Sequence, residues 1–325
     1  MTAARRRVVL DCDPGHDDAM AILLAAASPA IELEGITVVA GNQTLEKTAV
    51  NARRVCTVAG IVDVPIVPGA GRPLRREPIV AADIHGSSGL DGPEWPEPAM
   101  DLDARHAADF IVERAMAADA GPLTLVAVGP LTNVAQALER EPAIGRGIDR
   151  ISIMGGAIGL GNWTPSAEFN IYADPEAAAA VIGSGIPITL VPLEVTHRAL
   201  ATSAVLERIS ALGSPVAEMA VALMRYFTET YRRVFGFEAP AVHDPCAVAA
   251  VIDAALVPTR HLNVAVETAS GINLGRTVVD VHARTGRPPN VDVAVDLDVE
   301  RFWELVVDAL GTYDPTGTGP TGGAS

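Results

Sequence analysis

The stretch DCDPGHDDAMA, residues 11–21, decides the fold. The apolar residues before it, VVL, predict a buried parallel strand, and the run DDAMAILLAA predicts the helix that follows, with Pro14 and Gly15 in the turn between them. In an open α/β sheet, ligands bind at the carboxyl ends of the strands. The sequence therefore predicts that the four aspartates of this stretch lie at the edge of a ligand site.

The rest of the chain repeats this pattern. Short β-branched runs alternate with helical patterns up to residue 195, which predicts a Rossmann-like α/β fold with an open, mostly parallel sheet flanked by helices. A longer helical stretch follows Leu200, and a strand-rich segment runs from His261 to Leu297; both are placed in the same domain. We expect one domain over residues 1–312 and a disordered tail, rich in Gly, Thr and Pro, over residues 313–325.

The composition argues against several classes of partner. A net charge of −16 leaves no basic track for phosphates, so we expect no nucleic acid partner. No segment reaches the roughly 20 apolar residues of a membrane span, so no membrane partner is expected either. Cys12, Cys56 and Cys246 are too few and too far apart for a disulfide framework or a zinc ribbon, which favours a reducing cytoplasm.

The acidic turn has two interpretations. Asp17 or Asp18 could simply cap the helix, which accounts for one or two of the four aspartates. Carboxylates crowded into one turn repel each other unless a cation or hydrogen-bond donors neutralise them. Ligation by oxygen atoms alone favours Ca²⁺ or Mg²⁺ over Zn²⁺.

Two further strand or helix ends carry polar groups of interest. In LVAVGPLTN, residues 125–133, the strand ends at Val128, whose backbone carbonyl could ligate a metal or simply end the strand. In AVHDPCAVAAVID, residues 241–253, His243 and Asp244 precede a helix that starts with proline. An aspartate cap explains this pattern locally, but a histidine beside a metal carboxylate could also act as a proton donor.

A polar segment, NWTPSAEFNIYADPEAA, occupies residues 162–178. Asn162, Glu168 and Asn170 are interspersed with the apolar residues Phe169 and Ile171. Such amides and carboxylates suit hydrogen bonds to sugar hydroxyls, although a polar surface loop would show the same pattern.

Together these stretches resemble the nucleoside hydrolase family of the inosine–uridine preferring type. DCDPGHDDAMA is similar to the family's D-x-D-P-G-x-D-D signature, and the similarity runs from about Val8 to Asp308. The further matching motifs, in the family's order, are VVAGNQ, IHGSSG, VGPLTN, IMGGA, AEFNIYADPEAA and VHDPCAVA. The resemblance implies a homo-oligomeric enzyme, a dimer or tetramer, that hydrolyses ribonucleosides to ribose and free base in nucleoside salvage or catabolism.

The resemblance also implies roles for the residues that match these motifs. Ca²⁺ would be held by Asp13, Asp18, the carbonyl of Val128 and Asp244, and Asp17 would be the base on a calcium-bound water. The implied sugar-binding residues are Asn42, Met154, Asn162, Glu168 and Asn170.

At the base end of the site, the resemblance implies that His243 donates a proton to the leaving base. His85 would lie near the base on a mobile loop, flanked by Ile84 and Phe169. The segment before His243 offers further candidate base contacts, which are Tyr231, Arg232, Arg233 and Phe235.

Two alternatives come from other classes of protein. DCDPG superficially resembles the start of haloacid-dehalogenase-like phosphatases, but these need a downstream lysine, and the only lysine, Lys47, comes early in a helical pattern. A nucleoside-binding protein without turnover would keep the same motifs, and nucleoside binding without ribose release would identify it.

Overall fold

The computed structural model describes residues 5–117 and 120–313. Numbered in chain order, the strands are β1 Arg6–Cys12, β2 Ile31–Val38, β3 Ile66–Pro68, β4 Leu123–Ala127, β5 Ile148–Met154, β6 Ile188–Val191, β7 Thr259–Leu262, β8 Val264–Val266, β9 Thr277–Val279 and β10 Val291–Ala294. The helices are α1 His16–Ala27, α2 Leu45–Val58, α3 Ala82–His85, α4 Ala107–Ala115, α5 Thr132–Arg140, α6 Phe169–Ala173, α7 Pro175–Ile182, α8 Leu193–Thr196, α9 Ser203–Ser210, α10 Pro215–Phe235, α11 Asp244–Ile252 and α12 Val299–Gly311. A 3-10 helix covers Pro142–Arg146.

Eight strands form the central sheet in the order β3-β2-β1-β4-β5-β6-β10-β7. Neighbouring strands are parallel except for the edge pair of β10 and β7, and β8 pairs with β9 in a separate antiparallel pair. The predicted open, mostly parallel α/β sheet is therefore confirmed. On one side of β1 the sheet continues with β2 and β3, and on the other side it continues with β4, β5 and β6. The boundary between β1 and β4 is therefore the topological switch point, where such sheets bind ligands.

The central strand β1 is buried on both faces, as its apolar sequence predicts. Val8 and Leu10 belong to a hydrophobic core formed with α1, α10, α11 and α12, whereas Val9 belongs to a second core formed with α4, α5 and α7. Side chains alternate between the two faces of a strand, so consecutive residues of β1 enter opposite cores. This anchoring on both sides fixes the end of β1, where the acidic turn begins.

The long helical stretch after Leu200 is divided in two. Helix α9 ends before Gly213, which has a φ of +65°, and α10 then starts with Pro215 as its first residue. The side chain of Ser214 caps α10 by accepting a hydrogen bond from the backbone of Ala217 at 3.2 Å. The C-terminal strands β10 and β7 continue the central sheet.

No helix within the described residues is both long enough and apolar enough to cross a membrane.

The end of the described chain is held by Tyr313. Its ring is buried, and its hydroxyl donates a hydrogen bond to the carbonyl of Leu23 in α1 at 2.7 Å. The predicted disordered tail begins at this residue, which is ordered, and its remaining residues, 314–325, lie outside the described residues.

Replacement of Tyr313 tests where the folded domain ends. Tyr313→Phe removes one buried hydrogen bond, and we expect it to lower the free energy of unfolding by about 1 kcal/mol. Tyr313→Ala also leaves a cavity and should cost about 3 kcal/mol. The measurement is chemical denaturation, with a chain ending at Tyr313 as the control. Equal stability of Tyr313→Ala and the parent would place the domain boundary before this residue.

Candidate functional site

The acidic turn joins the end of β1 to the start of α1, and its aspartates are buried. Asp18 accepts hydrogen bonds from the backbone amides of Asp13 at 3.0 Å and Gly15 at 2.9 Å. Asp18 thus performs the capping role that the sequence allowed for. Asp11 is separate from the others, because its carboxylate accepts hydrogen bonds from Thr37 on β2 and Asn133 on α5.

Three carboxylates from distant parts of the chain meet beside this turn. Oxygen atoms of Asp17, Asp18 and Asp244 lie within 4.8 Å of one another, and all three residues are buried. Burial raises the pKa of each carboxyl group, and neighbouring carboxylates raise the pKa of Asp17 and Asp244 further. For Asp17 the pKa is raised to about 8. A positive charge among the three carboxylates would lower these raised pKa values again.

Asp13 lies next to this cluster and is held by the turn after β2. One carboxylate oxygen accepts a hydrogen bond from the backbone of Asn42 at 2.6 Å, and the Asn42 side chain bonds Asp18 at 3.0 Å. The other oxygen of Asp13 is buried without a hydrogen-bond partner. A Cβ atom at Gly41 or Gly129 would overlap the Asp13 carboxylate, so glycine is needed at both positions.

These residues fit a hard divalent cation. An unpartnered buried carboxylate oxygen is costly, and several buried carboxylates with raised pKa values are stabilised together by one cation. All the donors are oxygen atoms, the type that Ca²⁺ and Mg²⁺ prefer. The carbonyl of Val128 lines the same cavity and accepts a hydrogen bond from the Asn170 side chain at 2.7 Å, which leaves it one lone pair.

The polar segment forms a second wall of the cavity, which we call the polar wall. Glu168 caps α6, and its carboxylate accepts hydrogen bonds from the backbones of Asn170, Ile171 and Gly156 at 2.8, 3.1 and 2.9 Å. Burial raises the pKa of Glu168 to about 7, although these amides oppose the shift. The Asn162 side chain accepts a hydrogen bond from the backbone of Phe169 at 3.0 Å. The predicted sugar-binding groups are thus fixed in place by backbone contacts.

His243 lies at the start of α11, between two hydroxyl groups. Its Nδ1 atom is 2.7 Å from the Thr196 hydroxyl, and its Nε2 atom is 2.6 Å from the Tyr231 hydroxyl. Its backbone amide donates to Asp17 at 3.2 Å. Burial, with a smaller contribution from His197, lowers the pKa of His243 well below its usual value, so the ring is neutral at neutral pH.

A cavity of about 360 Å³ connects these groups, a volume suited to a small-molecule ligand. Of the predicted catalytic, metal-binding and sugar-binding residues, all line the cavity except the buried Asp13 and Asp18. The predicted residues on the cavity are Asp17, Asn42, His85, Val128, Met154, Asn162, Glu168, Phe169, Asn170, His243 and Asp244. Ile84, Tyr231 and Phe235 also line it.

Some expectations for the base end are not met, and some lining residues were not predicted. Arg232 and Arg233 are exposed and are not among the residues that line the cavity. Arg232 pairs with Glu229, and Arg233 contacts the backbone carbonyl of Asp83. The lining residues that sequence reasoning missed are Ala81, Asp83, Trp163, Phe227 and Val234. No local motif marks them.

The position of Lys47 bears on the phosphatase alternative. Its Nζ atom lies 2.6 Å from the carbonyl of Ser87 and 3.3 Å from the side chain of Gln43. Lys47 is exposed and does not line the cavity. The site therefore lacks the lysine that this alternative requires.

Comparisons with known proteins agree with the geometry. A family model described as inosine-uridine preferring nucleoside hydrolase matches residues 8–304. The pyrimidine-specific ribonucleoside hydrolase RihA of Enterobacter sp. (strain 638) is 46% identical over 307 residues, which cover 94% of this chain and 98% of the relative.

Two solved structures have the same fold over nearly the whole chain. The purine-preferring ribonucleoside hydrolase from Gardnerella vaginalis has a TM-score of 0.88 at 31% identity and covers 94% of this chain and 98% of its own. The plant nucleoside hydrolase PpNRh1 has a TM-score of 0.88 at 32% identity, and the match covers 95% of this chain and 99% of the plant enzyme's chain.

The electrostatics of the site predict how cation binding depends on pH. Carboxyl groups whose pKa is raised by folding stabilise the metal-free protein at low pH, and this stabilisation is lost as the pH rises through the folded-state pKa, about 8 for Asp17. A cation binds the ionised form, so the increase in Tm on adding millimolar Ca²⁺ should grow between about pH 6 and about pH 8. Differential scanning fluorimetry measures this increase. A pH-independent increase, or none, would contradict a cation at this cluster.

Proposed function

This chain belongs to the inosine-uridine preferring nucleoside hydrolase family and is a ribonucleoside hydrolase, and we propose that it cleaves the N-glycosidic bond of pyrimidine ribonucleosides with the help of Ca²⁺, Asp17 and His243. The observation that carries this proposal is a single cavity lined by carboxylates of the acidic cluster, by the His243–Tyr231 pair and by the polar wall. The carboxylates would activate water, the polar wall would bind the sugar, and the His243–Tyr231 pair would donate a proton to the leaving base.

The residues that would hold the cation are Asp13, Asp18, Asp244 and the carbonyl of Val128. When bound, Ca²⁺ supplies the positive charge that keeps these carboxylates ionised and draws water and the sugar's hydroxyl groups towards the acidic turn. The unpartnered oxygen of Asp13 and the donor set of oxygen atoms alone support this assignment. Their number and mixed type, carboxylate and carbonyl, favour Ca²⁺ over the more rigidly coordinated Mg²⁺.

Asp17 is the general base of the proposal. It lines the cavity, and the backbone amide of His243 holds one of its oxygens at 3.2 Å. With its pKa near 8, Asp17 would be protonated in the cation-free site, so it accepts a proton only when the charge of its neighbours is compensated. The ionised carboxylate then takes the proton from the water that attacks C1′ of the ribose.

The polar wall binds and stabilises the sugar. Asn42, Asn162, Asn170, Met154 and Glu168 all line the cavity. Positive charge develops on C1′ and the ring oxygen as the bond to the base breaks, and the negative potential of this acidic cavity favours that charge. Hydroxyl groups on ribose would pair with these side chains, which accounts for a ribonucleoside substrate.

Departure of the base involves a row of three side chains, Thr196, His243 and Tyr231. Each contact in the row joins one donor to one acceptor whichever nitrogen of His243 carries the proton. Because the ring is neutral, it acts by passing on its single N–H proton or by orienting the Tyr231 hydroxyl, and both groups line the cavity. The row therefore supplies a hydrogen-bond donor where the leaving base gains electrons.

Several wider assignments accompany this proposal. The preference for pyrimidines rests on the 46% identity to a pyrimidine-specific relative, against 31% to a purine-preferring one. Three free, buried cysteines are compatible with the reducing cytoplasm. We also propose a homo-oligomer, a dimer or tetramer, that acts in nucleoside salvage or catabolism and has a single domain.

An assay of reducing-sugar release tests the function. Uridine and cytidine should be cleaved faster than inosine, adenosine and guanosine, and a chelator should abolish the activity until Ca²⁺ is restored. Binding of uridine without sugar release would instead indicate a nucleoside-binding protein. Activity unaffected by the chelator would refute the role of the cation.

Asp17→Asn tests the general base with minimal change of shape. We expect kcat for uridine to fall by at least about 10²-fold, because a carboxamide cannot accept the proton. Thermal unfolding without the cation should occur at about the same temperature, since the Asp17 carboxyl group, with its pKa raised to about 8, is largely uncharged there at neutral pH. Turnover within threefold of the parent would exclude Asp17 from proton transfer.

The His243 row is tested by comparing two substrates. His243→Ala and Tyr231→Phe should lower kcat for uridine by about 10²-fold, whereas hydrolysis of 4-nitrophenyl riboside should change little, because nitrophenolate leaves without protonation. Tyr231→Phe removes only one hydroxyl group and keeps the ring packed. Equal losses on both substrates would show that the row does not act on the leaving group.

A further inference from the structure

The segment from His85 to Asp91, which we call the His85 loop, connects the cavity to the surface. His85 lines the cavity and is buried. The loop is also braced from within, because Asp91 accepts hydrogen bonds from the backbone amides of Ser87 at 2.9 Å and Ser88 at 3.1 Å. The loop thus has a defined internal shape, and its position depends on what holds it to the rest of the protein.

Four backbone carbonyls of this loop are bound by side chains from the first two β-α units. These contacts are Gln43 Nε2 to Gly86 at 3.1 Å, Lys47 Nζ to Ser87 at 2.6 Å, Asn51 Nδ2 to Ser88 at 2.9 Å and His16 Nε2 to Asp91 at 2.8 Å. His16 and His85 also face each other, with their Nδ1 atoms 3.1 Å apart. The loop that the family resemblance describes as mobile is held at four carbonyls here.

Asn51 differs from the other three because its amide nitrogen binds two loops at once. Nδ2 donates to the carbonyl of Ser88 at 2.9 Å and to the carbonyl of Pro14 in the acidic turn at 3.0 Å. Both partners are acceptors, so only the amide nitrogen can face them, and its two protons are both used. The side chain is buried, and its oxygen has no partner. The hydrogen bonds to the carbonyls of Pro14 and Ser88 are thus the two polar contacts of this side chain.

We propose that Asn51 is a positioning residue that ties the His85 loop to the acidic turn and thereby assembles the base end of the cavity against the cation end. The inference rests on the proposed function for its consequences in turnover, but the tie itself can be measured without activity. Asn51 lies outside the cavity and acts through His85. Its loss would break the link between Ser88 and Pro14, leaving the contacts of His16 to His85 and Asp91 as the remaining tie between the loop and the turn. Asp18 and Asn42 would still hold the acidic turn itself.

Asn51→Leu is the decisive variant, because leucine has a similar size and cannot donate a hydrogen bond. Hydrogen exchange followed by mass spectrometry should show at least about a tenfold faster exchange for peptides covering residues 86–91, with no change in peptides covering β4. The matched control is Asn263→Leu, which removes a half-buried asparagine bonded to the carbonyl of Pro288, a residue that does not line the cavity. Unchanged exchange at residues 86–91 would overturn the inference, whatever the activity.

Kinetics separate positioning from a general loss of structure. For Asn51→Leu we expect kcat/KM for uridine to fall by about 10-fold to 10²-fold and that for 4-nitrophenyl riboside to fall by less than about threefold, since the loop bears on the natural base. Equal losses on both substrates would reduce Asn51 to a structural role and overturn the inference. If the parent releases no sugar from any ribonucleoside, the proposed function fails, and the exchange experiment still decides on the tie.

A second variant covers the case in which Asn51→Leu does not fold. Asn51→Ser keeps a hydroxyl group but is too short to reach both carbonyls, so it should give the same pattern with smaller changes. Lys47→Met removes one of the other three contacts at an exposed position and leaves the bridge to Pro14 intact. It should speed exchange at residues 86–91 less than Asn51→Ser does, and the opposite order would overturn the assignment of the tie to Asn51.

Discussion

The repulsion among four buried carboxylates is the constraint on which the site depends. Asp13, Asp17, Asp18 and Asp244 are each buried, and burial raises the pKa of every one of them. Backbone amides and the side chain of Asn42 offset part of this cost, but one oxygen of Asp13 has no partner. Burying charged groups costs desolvation free energy, and the attraction of a divalent cation to the carboxylates can offset the part of this cost that the hydrogen bonds leave.

The fold brings these acids together by the geometry of its sheet. The acidic turn and Val128 follow the adjacent strands β1 and β4, at the position where the strand order reverses. Helix α11 then packs against α1, which brings Asp244 and His243 to the same place from more than 200 residues further along the chain. The cation end and the base end of the cavity therefore come from separate parts of the sequence, and their alignment depends on packing and on contacts such as that of Asn51.

Local signals made much of this predictable. The strand, the Pro-Gly turn and the acidic helix start are encoded within eleven residues, and the alternation of strands and helices indicates the parallel sheet. The Thr196–His243–Tyr231 row was only partly foreseen, because threonine and tyrosine in helical segments are ordinary residues until tertiary packing brings them to a histidine. Asn51 gave no signal for the same reason. Asp11 could not be separated from its neighbours, since its partners Thr37 and Asn133 are distant in sequence.

The single lysine has a practical consequence. Lys47 is exposed, and its side chain reaches the backbone of the His85 loop at Ser87. Apart from an α-amino group, an amine-directed reagent therefore finds one side chain to modify in the whole sequence. Coupling of this protein through its lysine side chain to a resin or a dye would attach every molecule at the same place, and a fluorophore there would report on movement of the His85 loop.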